Sequence, residues 1–82
     1  MKKITMYTLS TCPWCKKAKS FFDEKHIPYE YIDYDKASKE VQEEIRNECK
    51  ARGENISFPF VIIGDSVVVG YNPEKFMKLL ES

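Results

Sequence analysis

The chain has 82 residues, of which 43% are hydrophobic and 32% charged, with Lys+Arg 13 balancing Asp+Glu 13. That length suits one small domain, expected to span residues 1–82, and the zero net charge gives no electrostatic argument for nucleic acid or a membrane surface as partner. No apolar run approaches the roughly 18 residues of a membrane span, and Met1-Lys2-Lys3-Ile4-Thr5 has no long apolar stretch of the kind that opens a secretion signal.

Lys3 to Thr8 alternates weakly, with Ile4 and Met6 on one side and Thr5 and Tyr7 on the other, and is expected to be a strand. From Pro13 to about Lys25 the apolar positions Trp14, Ala18, Phe21 and Phe22 recur at helical spacing, and Pro28 limits that helix to about His26. Between strand and helix stands Thr11-Cys12-Pro13-Trp14-Cys15. Residues three apart share a helix face with Cβ atoms about 5–6 Å apart, so Cys12 and Cys15 can form and break a disulfide with little backbone movement. A loop of about four residues yields only about 2 kcal/mol of cross-link stabilisation, which points to redox work rather than stapling.

Pro13 fits the first helical turn, which leaves Cys12 at the N-cap, facing unpaired N–H donors and the positive end of the helix dipole. Those donors favour the thiolate, the nucleophilic form, while Cys15, one turn further in, is expected to be shielded and to resolve. Lysines early in a helix oppose its dipole, so Lys16 is a candidate for thiolate support and Lys17 and Lys19 are read as solvated. Trp14 is read as a contact surface at the rim of the site.

Tyr29 to Tyr34 reads as a second strand, with its tyrosines used for packing, and the strand–helix–strand order makes the first two strands parallel. Ser38 is the expected N-cap of a second helix with Val41, Ile45 and Cys49 on its apolar stripe and Gly53 as its left-handed cap. On that stripe Cys49 is expected to be an inert buried thiol. Phe60 to Ile63 and Ser66 to Val69 form a hairpin across Gly64-Asp65, a type II′ turn. Asn72-Pro73-Glu74 opens a last helix, whose buried face is assigned to Phe76, Met77, Leu79 and Leu80. The order β-α-β-α-β-β-α predicts an α/β fold, a four-stranded mixed sheet with helices on both faces. His26 is read as a helix-capping residue at a C-terminus, where partial positive charge is favoured, without a catalytic role. One CxxC cannot close a zinc site by itself, so no metal is expected.

In this order, Thr11-Cys12-Pro13-Trp14-Cys15, Ser57-Phe58-Pro59 and Gly70-Tyr71-Asn72-Pro73-Glu74-Lys75 resemble the thioredoxin superfamily, and among its smallest members the glutaredoxins and NrdH-type redoxins. The resemblance implies a thioredoxin-like (glutaredoxin-type) fold and a thiol–disulfide oxidoreductase that reduces protein disulfides through Cys12 and Cys15. It also implies that Phe58-Pro59 is a cis bond beside the cysteines. Pro13, Trp14, Phe58, Pro59, Gly70 and Tyr71 are the expected substrate-binding positions. Glutathione-using glutaredoxins carry Gly-Gly and then an acidic or hydroxyl residue at the last helix entrance, where this chain has Val69-Gly70-Tyr71-Asn72. That stretch looks more like NrdH-type redoxins, which are reduced by a flavoprotein reductase and serve ribonucleotide reductase.

No tightly bound cofactor is expected, and glutathione is weakly supported. The expected partners are disulfide-containing proteins and a reductase, either a thioredoxin-reductase-type flavoprotein or the glutathione system. A glutathione-linked or an iron–sulfur-cluster-binding glutaredoxin is the alternative. Three cysteines without an export signal make the CxxC read as a cytoplasmic redox motif. A monomer is expected.

Overall fold

Alternating apolar residues in the strands and single apolar stripes on the helices leave one arrangement that buries both sides of the sheet. The computed structural model describes residues 2–81; Met1 and Ser82, the ends of the expected 1–82 domain, lie outside the described residues. In chain order it has β1 (Ile4–Thr8), α1 (Pro13–Glu24), β2 (Glu30–Asp33), a single 3-10 turn (Tyr34–Lys36), α2 (Lys39–Ala51), β3 (Phe60–Ile63), β4 (Ser66–Val69) and α3 (Pro73–Glu81). The strands lie in the order β2-β1-β3-β4. β1 and β2 are parallel, with Thr8 opposite Asp33, while β1–β3 and β3–β4 are antiparallel. This is the mixed four-stranded sheet expected from the element order.

Ile4 and Met6 of β1 point towards α1 and α3, where they meet Ala18, Phe22 and Phe76. Tyr7 points the other way, onto Ile45 and Cys49 of α2. Helices therefore cover both faces. Phe76 is the buried anchor of α3, with Leu79 and Leu80 packed partly against the same core. Met77 is only half-buried and stands outside that cluster, because it lies a quarter-turn round the helix from Phe76.

Two helices end by the same device. In α2 the Gly53 N–H donates to Lys50 O at 2.9 Å and the Glu54 N–H to Cys49 O at 3.0 Å, with Gly53 at φ 76°. That is a Schellman cap with glycine in the left-handed position. In α1 the corresponding bonds run from His26 to Asp23 (3.1 Å) and from Ile27 to Phe22 (2.9 Å), and His26 itself has φ 56°. The helix thus ends at a left-handed histidine, two residues before Pro28. His26 caps the helix as its position led one to expect, through a left-handed backbone.

β2 is shorter than the expected Tyr29 to Tyr34. Tyr34 turns into the 3-10 segment, and as an edge strand β2 leaves Tyr31 50% exposed, so that residue is not the packed strand tyrosine expected. At the β3–β4 turn Gly64 has φ 61° and Asp65 does not have a positive φ, as a type II′ turn requires.

Candidate active site

Parallel pairing puts the C-terminal ends of β1 and β2 side by side, at the edge where α1 begins. Ligands and chemistry collect at such strand ends in open α/β sheets. The loop Leu9 to Thr11 leaves β1 there and is tied down on its β2 side. The Asp35 carboxylate accepts from the Ser10 N–H at 3.0 Å and from the Ser10 hydroxyl at 2.5 Å. Those two bonds hold the Asp35 carboxyl below its usual range.

From that fixed loop the chain turns into α1 at Cys12. Its backbone is extended (φ −85°, ψ 115°), its N–H donates to Leu9 O at 3.1 Å, and its carbonyl accepts the first helical bond from Lys16 at 3.2 Å. Pro13 occupies the first helical position, where no N–H is needed. The Cys12 Sγ accepts from the Cys15 N–H at 3.3 Å. That N–H points at the sulfur from the first turn of α1, where backbone donors have no partner within the helix. Cys12 is half-buried.

Cys15 lies beneath it with no exposed surface. Both thiols are unbonded. Burial pushes the Cys15 thiol well above its ordinary value and the hydrogen bond with Cys12 adds to this, while the Leu9 backbone and Lys19 pull the other way. The two cysteines are chemically unequal: one is reachable and held by an N–H donor, the other is dry and protonated.

Beside Cys12, Trp14, Phe58, Pro59, Gly70 and Tyr71 line a cleft of about 280 Å³. The Phe58-Pro59 bond is cis, and Pro59 O is taken by the Gly70 N–H at 2.8 Å. Among the described residues the Phe58 N–H and carbonyl make no backbone–backbone hydrogen bond. Trp14 is 55% exposed, its ring centroid 6.0 Å from that of Tyr71, with the Lys17 ammonium 4.5 Å above the indole. Gly70 has φ 90°, a backbone turn that swings the chain from β4 into Tyr71 and the α3 entrance. There Asn72 uses its Oδ1 to cap the helix, accepting from the Lys75 N–H at 3.2 Å.

The structure thus brings Cys12, Cys15, Pro13, Trp14, Phe58, Pro59, Gly70 and Tyr71 to one end of the sheet. Lys16 is exposed on the outer face of α1, whereas the half-buried lysine of that stretch is Lys19. The Lys19 Nζ lies 3.6 Å from Asp33 Oδ1 and 3.7 Å from the centre of the Tyr31 ring. Cys49 is buried under α2, and its thiol is raised by burial and then by Glu48. Sequence reasoning overlooked Asp33, Asp35 and the involvement of Lys19. The available signal was the pair of acids ending β2, which a parallel βαβ unit must set against the loop after β1. Among the described residues no group of three or more potential ligands is placed to hold a metal ion. No helix among them is long and apolar enough to cross a membrane.

Residues 4–68 match the family model for glutaredoxin. Over 78 residues the chain is 35% identical to an uncharacterized glutaredoxin-like 8.6 kDa protein in the rubredoxin operon of Clostridium pasteurianum, covering 95% of this chain and 97% of that one. The fold is similar to the crystal structure of a glutaredoxin from Archaeoglobus fulgidus, with a TM-score of 0.87 and 34% identity over 100% of this chain and 89% of the other. It is also similar to the glutaredoxin-like protein NrdH-redoxin from Escherichia coli, with a TM-score of 0.74 and 28% identity over 94% and 93% of the two chains.

Proposed function

Because the chain belongs to the glutaredoxin family, and is therefore a thiol–disulfide oxidoreductase, we propose that it reduces protein disulfides by a dithiol route in which Cys12 attacks and Cys15 resolves. The Cys12 thiolate displaces one sulfur of the substrate disulfide, which leaves as a thiolate and takes up a proton. Cys15 then loses its proton, bonds to the Cys12 sulfur and releases the second substrate thiol. The substrate gains two electrons and the Cys12–Cys15 pair becomes a disulfide. A reductase returns the electrons and protons. Both electrons stay on sulfur throughout, so the scheme needs no tightly bound cofactor.

The observation that carries this reading is the pairing of a half-buried N-cap sulfur, contacted by the Cys15 N–H, with a fully buried sulfur one turn below. The substrate is an extended segment of a protein. It lies in the cleft between Trp14 and Tyr71 and adds its backbone to the N–H and carbonyl of Phe58, a short form of strand addition.

For the electron donor we favour a thioredoxin-reductase-type flavoprotein over glutathione. Gly70 is followed by Tyr71, and the Asn72 side chain is spent on its own helix, so the α3 entrance has one glycine and no acid at the place matching that of a glutathione site. The similar E. coli protein is described as having a thioredoxin-like activity profile. On this reading the chain acts as a monomer in a reducing compartment such as the cytoplasm. Reduction of a protein disulfide is measured with NADPH and either thioredoxin reductase or glutathione plus glutathione reductase. Turnover with the flavoprotein and little with glutathione is the expected result; efficient turnover with glutathione alone overturns the choice of donor.

A further inference from the structure

In the dithiol scheme the second step is the harder one, because a dry, protonated Cys15 must ionise. The groups that act on its ionisation are the Cys12 sulfur at the N-cap, the Leu9 backbone in the loop after β1, and Lys19, four residues further along α1. From β2, Asp33 faces that lysine. Side chains on a helix lean towards its N-terminus, so the stem of Lys19 runs back over the turn that carries Cys15.

That lysine is not a loose surface cation. Its side chain is 21% exposed, with Asp33 Oδ1 at 3.6 Å and the Tyr31 ring at 3.7 Å. The carboxylate is itself anchored from below, where the fully buried Thr8 hydroxyl donates to Oδ1 at 2.5 Å. The register pairing Thr8 with Asp33 sets the two residues side by side for that bond. Thr8 and Lys19 meet the same oxygen, Asp33 Oδ1, so the carboxylate stands on the β2 side of the pair and the ammonium on the helix that carries Cys15. By contrast Lys16 is exposed and Lys17 sits over Trp14.

We propose that Lys19, clamped by Asp33 and Tyr31, is a positioning residue for the resolving step: its held charge favours ionisation of Cys15 while Cys15 attacks the mixed disulfide on Cys12. This rests on the dithiol reading above. The bond formed is Cys12 Sγ–Cys15 Sγ and the bond broken is that between Cys12 Sγ and the substrate sulfur. The Cys15 proton passes to solvent, and the leaving thiolate takes one up. Lys19 keeps its own proton throughout. The direction of Lys19's influence on the Cys15 thiol agrees, since it opposes the effect of burial.

The test follows one equivalent of uncharged dithiodipyridine by stopped flow. Attack by Cys12 releases one thiopyridone in a second-order phase; attack by Cys15 on the resulting mixed disulfide releases the second in a first-order phase. Lys19→Met keeps the aliphatic stem and removes the charge. A nearby unit charge changes thiolate content about tenfold, and the greater nucleophilicity of a more basic thiolate returns about threefold, so the second phase slows about threefold. Its rise with pH moves to higher pH, the first phase keeps its rate, and Lys19→Arg restores the second. A second phase of unchanged rate and pH profile, equal slowing of both phases, or no rescue by arginine overturns the proposal. If the unsubstituted protein shows no second phase, the dithiol reading fails and this inference with it.

Discussion

Thr8→Val isolates the bond beneath the active-site ion pair. The two side chains have nearly the same shape, and Thr8 has no exposed surface, so the change removes one O–H donor without opening a cavity. That hydroxyl has a single proton, and the 2.5 Å contact to Asp33 Oδ1 takes it in preference to the 3.3 Å contact to Ile32 O. The Asp33 side chain is only 22% exposed, too little for water to replace the donor fully. Losing a hydrogen bond to a charged group costs about 1.5–3 kcal/mol net, so the expected loss is about 2 kcal/mol. For a domain of this size that lowers Tm by about 10 °C. Urea unfolding followed by circular dichroism reads it as a fall in midpoint at unchanged slope. In an Asp33→Ala background the same substitution costs little. A loss below about 0.5 kcal/mol, or the same loss in both backgrounds, refutes the assignment of Thr8 as the anchor of Asp33.

The left-handed caps make a matched pair: Gly53→Ala destabilises by about 1 kcal/mol, since nothing crowds a Cβ there and only the backbone objects, while His26→Gly stabilises by about 0.5 kcal/mol in urea titrations. Trp14→Ala leaves the urea midpoint almost unchanged, because the ring is mostly exposed, but raises KM for a protein disulfide about tenfold, as loss of a contact anchor does. At high pH the fold weakens through its buried acids. Cys15 and Cys49 are raised above the thiol value of 9.0 and Tyr29 is raised to about 12 by burial and then by Asp23. Each raised group contributes stability that is complete below its unfolded value and lost as pH rises towards its folded one. The urea midpoint is therefore flat near neutrality and falls between pH 9 and 12, and Cys49→Ala makes the fall shallower.

Local chemistry made most of the architecture readable in advance. Ser38 and Asn72 cap α2 and α3 as their residue types require, accepting from Val41 and Lys75. Cys12 is found at the N-cap that Pro13 implied, and Gly64-Asp65 makes the turn its glycine allows. The failures are places where a long-range partner decides. Nothing in Tyr34-Asp35-Lys36 marks a 3-10 turn; that turn carries the Asp35 carboxylate to Ser10. His26 is left-handed because Ile27 packs in the same cluster as Phe22, a contact that outweighs the backbone preference of histidine. The Thr8–Asp33–Lys19 chain depends on one register between two strands separated by a helix, so three polar residues look unrelated until the sheet is drawn.

The division of labour between the two sulfurs is tested most directly by trapping. Cys12→Ser and Cys15→Ser proteins are each incubated with a disulfide-bonded substrate protein, and adducts are resolved by non-reducing electrophoresis and mass spectrometry. Cys15→Ser accumulates a mixed disulfide at Cys12 that dithiothreitol releases, and Cys12→Ser forms none. Adducts of equal yield from both variants, or an adduct on Cys15, contradict the assignment of roles.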